Sequence, residues 1–128
     1  MTRLTGSAIA LLVLLSGCTR GHLSYIDSEG NKQTGCEAEY TWAPSVDRHA
    51  VDYWLYHCAK KALDKGYQVL NDDILVEPPA LPIHPEGKLW TWDEATRVYH
   101  AGHLTDQQYG YLIAAIDLNH IGSQTADN

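Results

Sequence analysis

From Ala8 to Leu15 the chain runs through eight consecutive apolar residues, and the small residues Ser16 and Gly17 then lead to Cys18. This block constrains the fold more than any other feature, because it suits neither a core helix nor a membrane span. A core helix of so small a domain would show a polar face, and this run has none. A bilayer-crossing helix needs about 20 apolar residues, more than twice the length present. One positive charge, Arg3, precedes the block. A basic start, a short apolar middle and a small-residue end form the layout of an export signal, so residues 1–17 are expected to be a signal peptide.

Leu15-Ser16-Gly17-Cys18 resembles the lipobox of bacterial lipoproteins, in which cleavage falls just before the cysteine and that cysteine carries the lipid. The resemblance implies acylation of Cys18, palmitate included, and a bilayer anchor without a membrane span. Thr19, where an aspartate would favour the inner membrane, implies the outer membrane, with the domain facing the periplasm. Several acyl chains, at about 0.8 kcal/mol per buried CH₂, make such an anchor durable. Cysteine parity agrees with this reading. The chain has three cysteines, and an odd count in an exported protein leaves one thiol to explain. With Cys18 acylated, Cys36 and Cys58 remain as one expected disulfide in an oxidising compartment. Metal binding by the same two thiols would lack the close C-x-x-C spacing of most zinc sites.

Removing 17 of the 128 residues leaves 111, enough for a single domain covering 23–128, behind a lipidated cysteine and tether at 18–22. Loss of Arg3 takes the formal charge from −7 to −8. So acidic a chain lacks the basic footprint that nucleic acid requires and the cationic patch that clings to anionic lipid. A basic protein partner remains compatible with it. Four tryptophans, eight tyrosines and no phenylalanine supply rings with polar tips, which serve either as core or as contact surface. Trp90, Trp92, Tyr109 and Tyr111 are the candidate partner-binding residues.

The expected fold class is α+β. Leu23–Asp27 reads as a strand, Ser28-Glu29-Gly30-Asn31 as a turn, and residues 36–42 alternate so that Cys36, Ala38, Tyr40 and Trp42 share one face. Pro44-Ser45 opens a helix with Ser45 as its cap and Asp47 in its first turn. Val51, Trp54, Leu55, Cys58 and Ala62 form its apolar stripe, and Gly66 closes it. A Cys36–Cys58 bridge would clamp this helix over the β-hairpin, with residues 67–70 as a candidate third strand. The lysines Lys60, Lys61 and Lys65 are explained by the helix dipole. Residues 23–76 thus make the hairpin, helix and strand, and 77–90 a linker whose four prolines, at 78, 79, 82 and 85, forbid helix. That linker either spans the surface or offers a proline-rich ligand.

Residues 91–122 read as a helical hairpin. Thr91-Trp92-Asp93-Glu94 and Thr105-Asp106-Gln107-Gln108 fit the capping box, and Gly102 separates the two helices. Tyr109, Leu112, Ile113, Ile116 and His120 mark one face of the second. The stretch from Val98 to Tyr109 resembles the SHOCT class of short C-terminal modules, in which a helix ends at glycine, an aliphatic-threonine pair starts the next helix and an aromatic follows. The resemblance implies self-association or attachment to other protein segments. Gln108 stands where an acidic residue is expected, and no residue roles transfer.

No catalytic residue, metal site or cofactor motif emerges from these patterns. His100 and His103 lie one turn apart, but Gly102 breaks the helix between them. His57 and Cys58 are adjacent and diverge on a helix, while His49 approaches His57 only loosely. Asp72, Asp73 and Glu77 lack the order of a calcium loop. Gly110, inside the last helix, marks either a close packing contact or a groove. The expected function is that of a cell-envelope lipoprotein, held in the bilayer through acylated Cys18, with a non-catalytic structural or protein-binding role toward an envelope partner. The alternatives are an immunity or inhibitor protein against a toxin or hydrolase, and an envelope hydrolase acting on cell-wall or glycan material.

Overall fold

A tight turn organises the first two strands. The Asp27 side chain accepts the backbone N–H of Glu29 at 2.9 Å and of Asn31 at 3.0 Å, and Gly30 adopts φ +80°, which favours glycine. In the computed structural model, which describes residues 18–120, this turn joins β1 (Thr19–Ile26) antiparallel to β2 (Lys32–Tyr40). The expected signal peptide, with Leu15-Ser16-Gly17, and the last two residues of the expected 91–122 hairpin lie outside the described residues. The expected tether over 19–22 is instead strand. Its backbone pairs with the far half of β2, Thr19 facing Tyr40 and Arg20 facing Glu39.

Register slips in the middle of this pair. Gly21 faces Ala38 but Leu23 faces Gly35, so Cys36 and Glu37 together oppose His22 in a β-bulge. Cys36 takes φ +51°, a left-handed conformation costing about 1–2 kcal/mol for a residue with a Cβ. The bulge overturns the expected common face of Cys36, Ala38, Tyr40 and Trp42. Ala38 and Tyr40 are buried, Cys36 is exposed in the bulge, and Trp42 lies beyond the strand at 44% exposure. On the other side of β1, β3 (Gln68–Val69) pairs antiparallel, giving the order β2-β1-β3. Asn71 extends this short strand with its side chain, accepting the Ser24 N–H at 2.9 Å and donating to the His22 carbonyl at 2.8 Å.

Helix α1 (Pro44–Asp64) crosses the sheet. Ser45 is not its cap: Pro44 fills the first helical position, where a missing N–H costs nothing, and Ala43 becomes the N-cap. Asp47 reaches back instead and accepts the N–H groups of Trp42 at 2.9 Å and Ala43 at 3.1 Å. At the other end Gly66, at φ +79°, donates to Leu63 O, and Tyr67 donates to Ala62 O. This pair of bonds is a Schellman closure. Leu23 packs with Cys58, Ala59 and Ala62 beneath the sheet. Cys36 and Cys58 form a disulfide with their Cα atoms 6.2 Å apart, tying the hairpin to the helix as expected.

The opposite side of α1 carries α3 (Asp106–Asp117), which also packs against α2 (Trp92–His100). Thr105 and Gln108 complete a reciprocal capping box. Thr91 accepts the Glu94 N–H, but the Glu94 side chain is turned to His84 and Arg97 rather than back to Thr91. Gly102, at φ +82°, ends α2 with a second Schellman pair, in which Gly102 N–H donates to Tyr99 O and His103 N–H to Val98 O. Every residue of α3 from Tyr109 to Ala115 is buried, so the single expected face underestimates its enclosure. Gly110 makes this possible: a Cβ there would meet Val46 O at 2.5 Å and Ala50 N at 3.0 Å. The glycine is a packing contact between α1 and α3.

The proline-rich segment is more than a spanning linker. His84 and Trp90 are buried, and Leu81 packs on the main core. The Trp90 indole N–H donates to the Pro82 carbonyl at 2.7 Å. No helix among the described residues is long and apolar enough to cross a membrane. The fold is α+β, with a three-stranded antiparallel sheet, a central helix and a C-terminal helical pair.

Candidate functional site

Three features of the fold carry chemistry at or near the surface. The first is Cys18, exposed and free of a disulfide immediately before β1. The Glu39 carboxylate beside it, hydrogen-bonded to the thiol, holds that thiol above its usual range.

The second feature concerns the aromatic candidates, which the structure separates. Trp90 and Tyr109 are buried, which corrects their expected role in partner binding; Tyr111 is buried as well but lines a cleft beside α1. Trp90 packs on His84 with ring centroids 4.6 Å apart. Tyr109 stacks on Tyr99 at 4.2 Å and shares a 2.8 Å hydrogen bond with Thr96 Oγ1. Tyr111 lies 5.7 Å from Tyr53 and edge-on to His49. The physical reason is area: in a small domain without phenylalanine, the large rings must build the core. Only Trp92 of the four is open, at 49% exposure. It meets the exposed Trp42 edge-on at 6.3 Å, and Trp42 rests in turn on Tyr109 at 6.0 Å. Trp42 was read as a strand residue, so sequence reasoning missed this pair.

The third feature is a cleft of about 460 Å³ lined by Arg48 and Asp52 of α1, Asp73, the 76–79 stretch, and Gln107 and Tyr111 of α3. Burial raises the Asp52 carboxyl, partly opposed by Arg48 and His49 and reinforced by Asp73. Burial likewise raises the Tyr111 hydroxyl, with Asp52 adding to the effect. Asp52, Asp73 and Glu77 place three carboxylates against one guanidinium, a balance that suits a basic side chain or an amine. Two members of the loose acidic cluster seen in sequence therefore line the same wall as a helix residue that sequence alone does not connect to them.

The histidines divide into separate environments. His84 is buried and accepts the Glu86 N–H at Nδ1, 3.0 Å, so Nε2 carries the proton it gives to Glu94 at 2.7 Å. Arg97 first, and then His84, hold the Glu94 carboxyl down to about 2. This network pins the proline-rich segment to α2. His57 lies 4.5 Å from His120, centroid to centroid, and the Tyr53 hydroxyl is 3.1 Å from His120 Nδ1. Burial lowers both His57 and His120, each further lowered by nearby positive charge. His100 and His103 are both exposed. Among the described residues no group of three or more His, Cys, Asp or Glu converges as a metal site. No family model, curated protein or solved structure matches this chain.

Proposed function

We propose that this protein is a membrane-anchored cell-envelope lipoprotein with a non-catalytic role, holding or positioning a protein partner at the periplasmic side of the outer membrane. The division of labour among the cysteines carries the reading. Cys36 and Cys58 are consumed in the fold, whereas Cys18 stands exposed at its margin, directly after Leu15-Ser16-Gly17. The acidic cleft supports the partner half of the proposal, since it offers a seat for a basic segment of another protein.

The anchor is tested by Cys18→Ala in cells fed an alkyne-tagged fatty acid. Loss of the label and accumulation of the unprocessed precursor are expected; normal maturation of the variant would overturn the anchor. For the partner, a photoreactive residue at Gln107 should give one dominant adduct in intact cells, and a well-expressed protein without adducts would remove the binding role. A second reading, an envelope hydrolase acting on glycan, is favoured by one observation only: Asp52 is a carboxyl raised by burial beside a second carboxyl. Release of peptidoglycan fragments by the protein, abolished in Asp52→Asn, would support it.

A further inference from the structure

We infer that the end of the domain beside Cys18 lies in the interfacial layer of the bilayer, with Trp42 and Trp92 as its lipid-contacting residues. The inference rests on the lipid anchor proposed above and adds the orientation of the domain and the surface that sets it.

The absence of a tether is the first argument. β1 starts at Thr19, the residue after the acylated position, and one residue spans at most about 3.6 Å. The interfacial layer on each side of a bilayer is itself roughly 5–8 Å deep. A domain attached so closely cannot hold its anchored end clear of the headgroups.

Register then determines what lies at that end. Thr19 faces Tyr40, so β2 leaves the sheet beside Cys18, and Trp42 follows two residues later. Asp47 fixes the backbone of Trp42 at the start of α1. Trp92 is the first residue of α2, and its ring meets that of Trp42 at 6.3 Å. Two half-exposed indoles therefore stand together at the anchored end, while Trp90 is buried and Trp54 is packed on the core. Indoles concentrate at the headgroup level of bilayers, where an apolar ring and a polar N–H are both satisfied. The contact of Trp42 with Tyr109 holds the pair in place, so docking orders little that is not already ordered.

Charge selects the kind of bilayer surface. Near the anchor, Arg20 is paired with Glu39 at 3.3 Å, and Asp93 adjoins Trp92 in sequence. That neighbourhood carries no cationic excess to draw anionic lipid. The expected surface is zwitterionic headgroups, and docking should be insensitive to added anionic lipid and to salt.

The test uses the full acylated protein in phosphatidylethanolamine–phosphatidylcholine vesicles, prepared with ordinary lipid or with lipid brominated high on its acyl chains. Two of the four tryptophans are assigned to the interface, so brominated lipid should quench up to roughly half of the emission. Trp42→Tyr/Trp92→Tyr should lose that quenching while still floating with the vesicles. If the double variant does not fold, Trp92→Tyr alone should lose about half of the quenched signal, and the unmodified protein still reports docking by itself. Emission indifferent to brominated lipid, in protein whose mass shows acylated Cys18, would overturn the docked orientation and leave the anchor intact. Protein of unmodified mass that does not float would overturn the anchor and this inference with it.

Discussion

Replacing Gly110 by alanine tests the packing of α1 on α3. The added methyl would sit 2.5 Å from Val46 O, 2.7 Å from His49 Cβ and 3.0 Å from Ala50 N. Two of these are backbone atoms, so no rotamer change relieves the clash and the helices must separate. A gap of about 0.5–1 Å forfeits a quarter to a half of the dispersion attraction across it, here along a seam that includes Val46, Ala50, Leu112 and Ile113. Against this, alanine gains about 1 kcal/mol of helix propensity over glycine. Overpacking of this kind costs about 1–3 kcal/mol, occasionally more, and obstruction by backbone belongs at the upper end, leaving a net loss of about 2 kcal/mol. At about 4–8 °C per kcal/mol for a domain of this size, Tm should fall by roughly 8–16 °C. Thermal and urea unfolding followed by circular dichroism would measure it. A Gly110→Ala protein melting at or above the parent would refute the reasoning, because propensity would then outweigh the contact.

Removing the disulfide as Cys36→Ala/Cys58→Ala should cost about 3 kcal/mol from the loop-closure entropy of the unfolded chain. Cys36→Gly/Cys58→Ala should recover about 1 kcal/mol of that loss, because glycine accepts the left-handed conformation of the bulge; equal urea midpoints for the two variants would contradict the bulge geometry. His57 and His120 are both lowered in the fold, so the unfolded chain binds more protons wherever pH lies between the folded values and the ordinary one near 6.5. Stability should therefore be flat above pH ~6.5 and decline below it, and His57→Gln should flatten that decline in a series of melting curves.

Local grammar was legible in the sequence. Gly66, Gly102 and the Thr105-to-Gln108 box act through backbone groups three to five residues away, so short patterns reveal them. The central helix and its bridge to the hairpin were legible through stripe and parity. Competition for a side chain was not: Glu94 has the spacing of a capping residue, but Arg97 and the distant His84 claim its carboxylate. The bulge at Cys36 escaped for another reason, since a single left-handed residue leaves no mark on an alternating pattern unless it is a glycine or an asparagine. The cleft assembles segments near 48–52, 73–79 and 107–111, separations that periodicity cannot join. Trp42 and Trp92 become neighbours only when α1 and α2 are placed. Trp90 and Tyr109 looked like contact residues because composition counts rings without saying where they point.

The bulge at Cys36 also bears on how copies of this protein tolerate one another. β2 is bonded to β1 along one side only, and an open strand of nine residues is a template for edge-to-edge aggregation. Cys36 interrupts the outer row of amides and carbonyls midway, and the exposed carboxylates of Glu37 and Glu39 follow the interruption. A neighbour trying to add its own strand would lose register at the kink and bring like charges together. On a crowded surface, where collisions between copies repeat in nearly fixed orientations, this kinked edge would keep close neighbours from becoming a fibre.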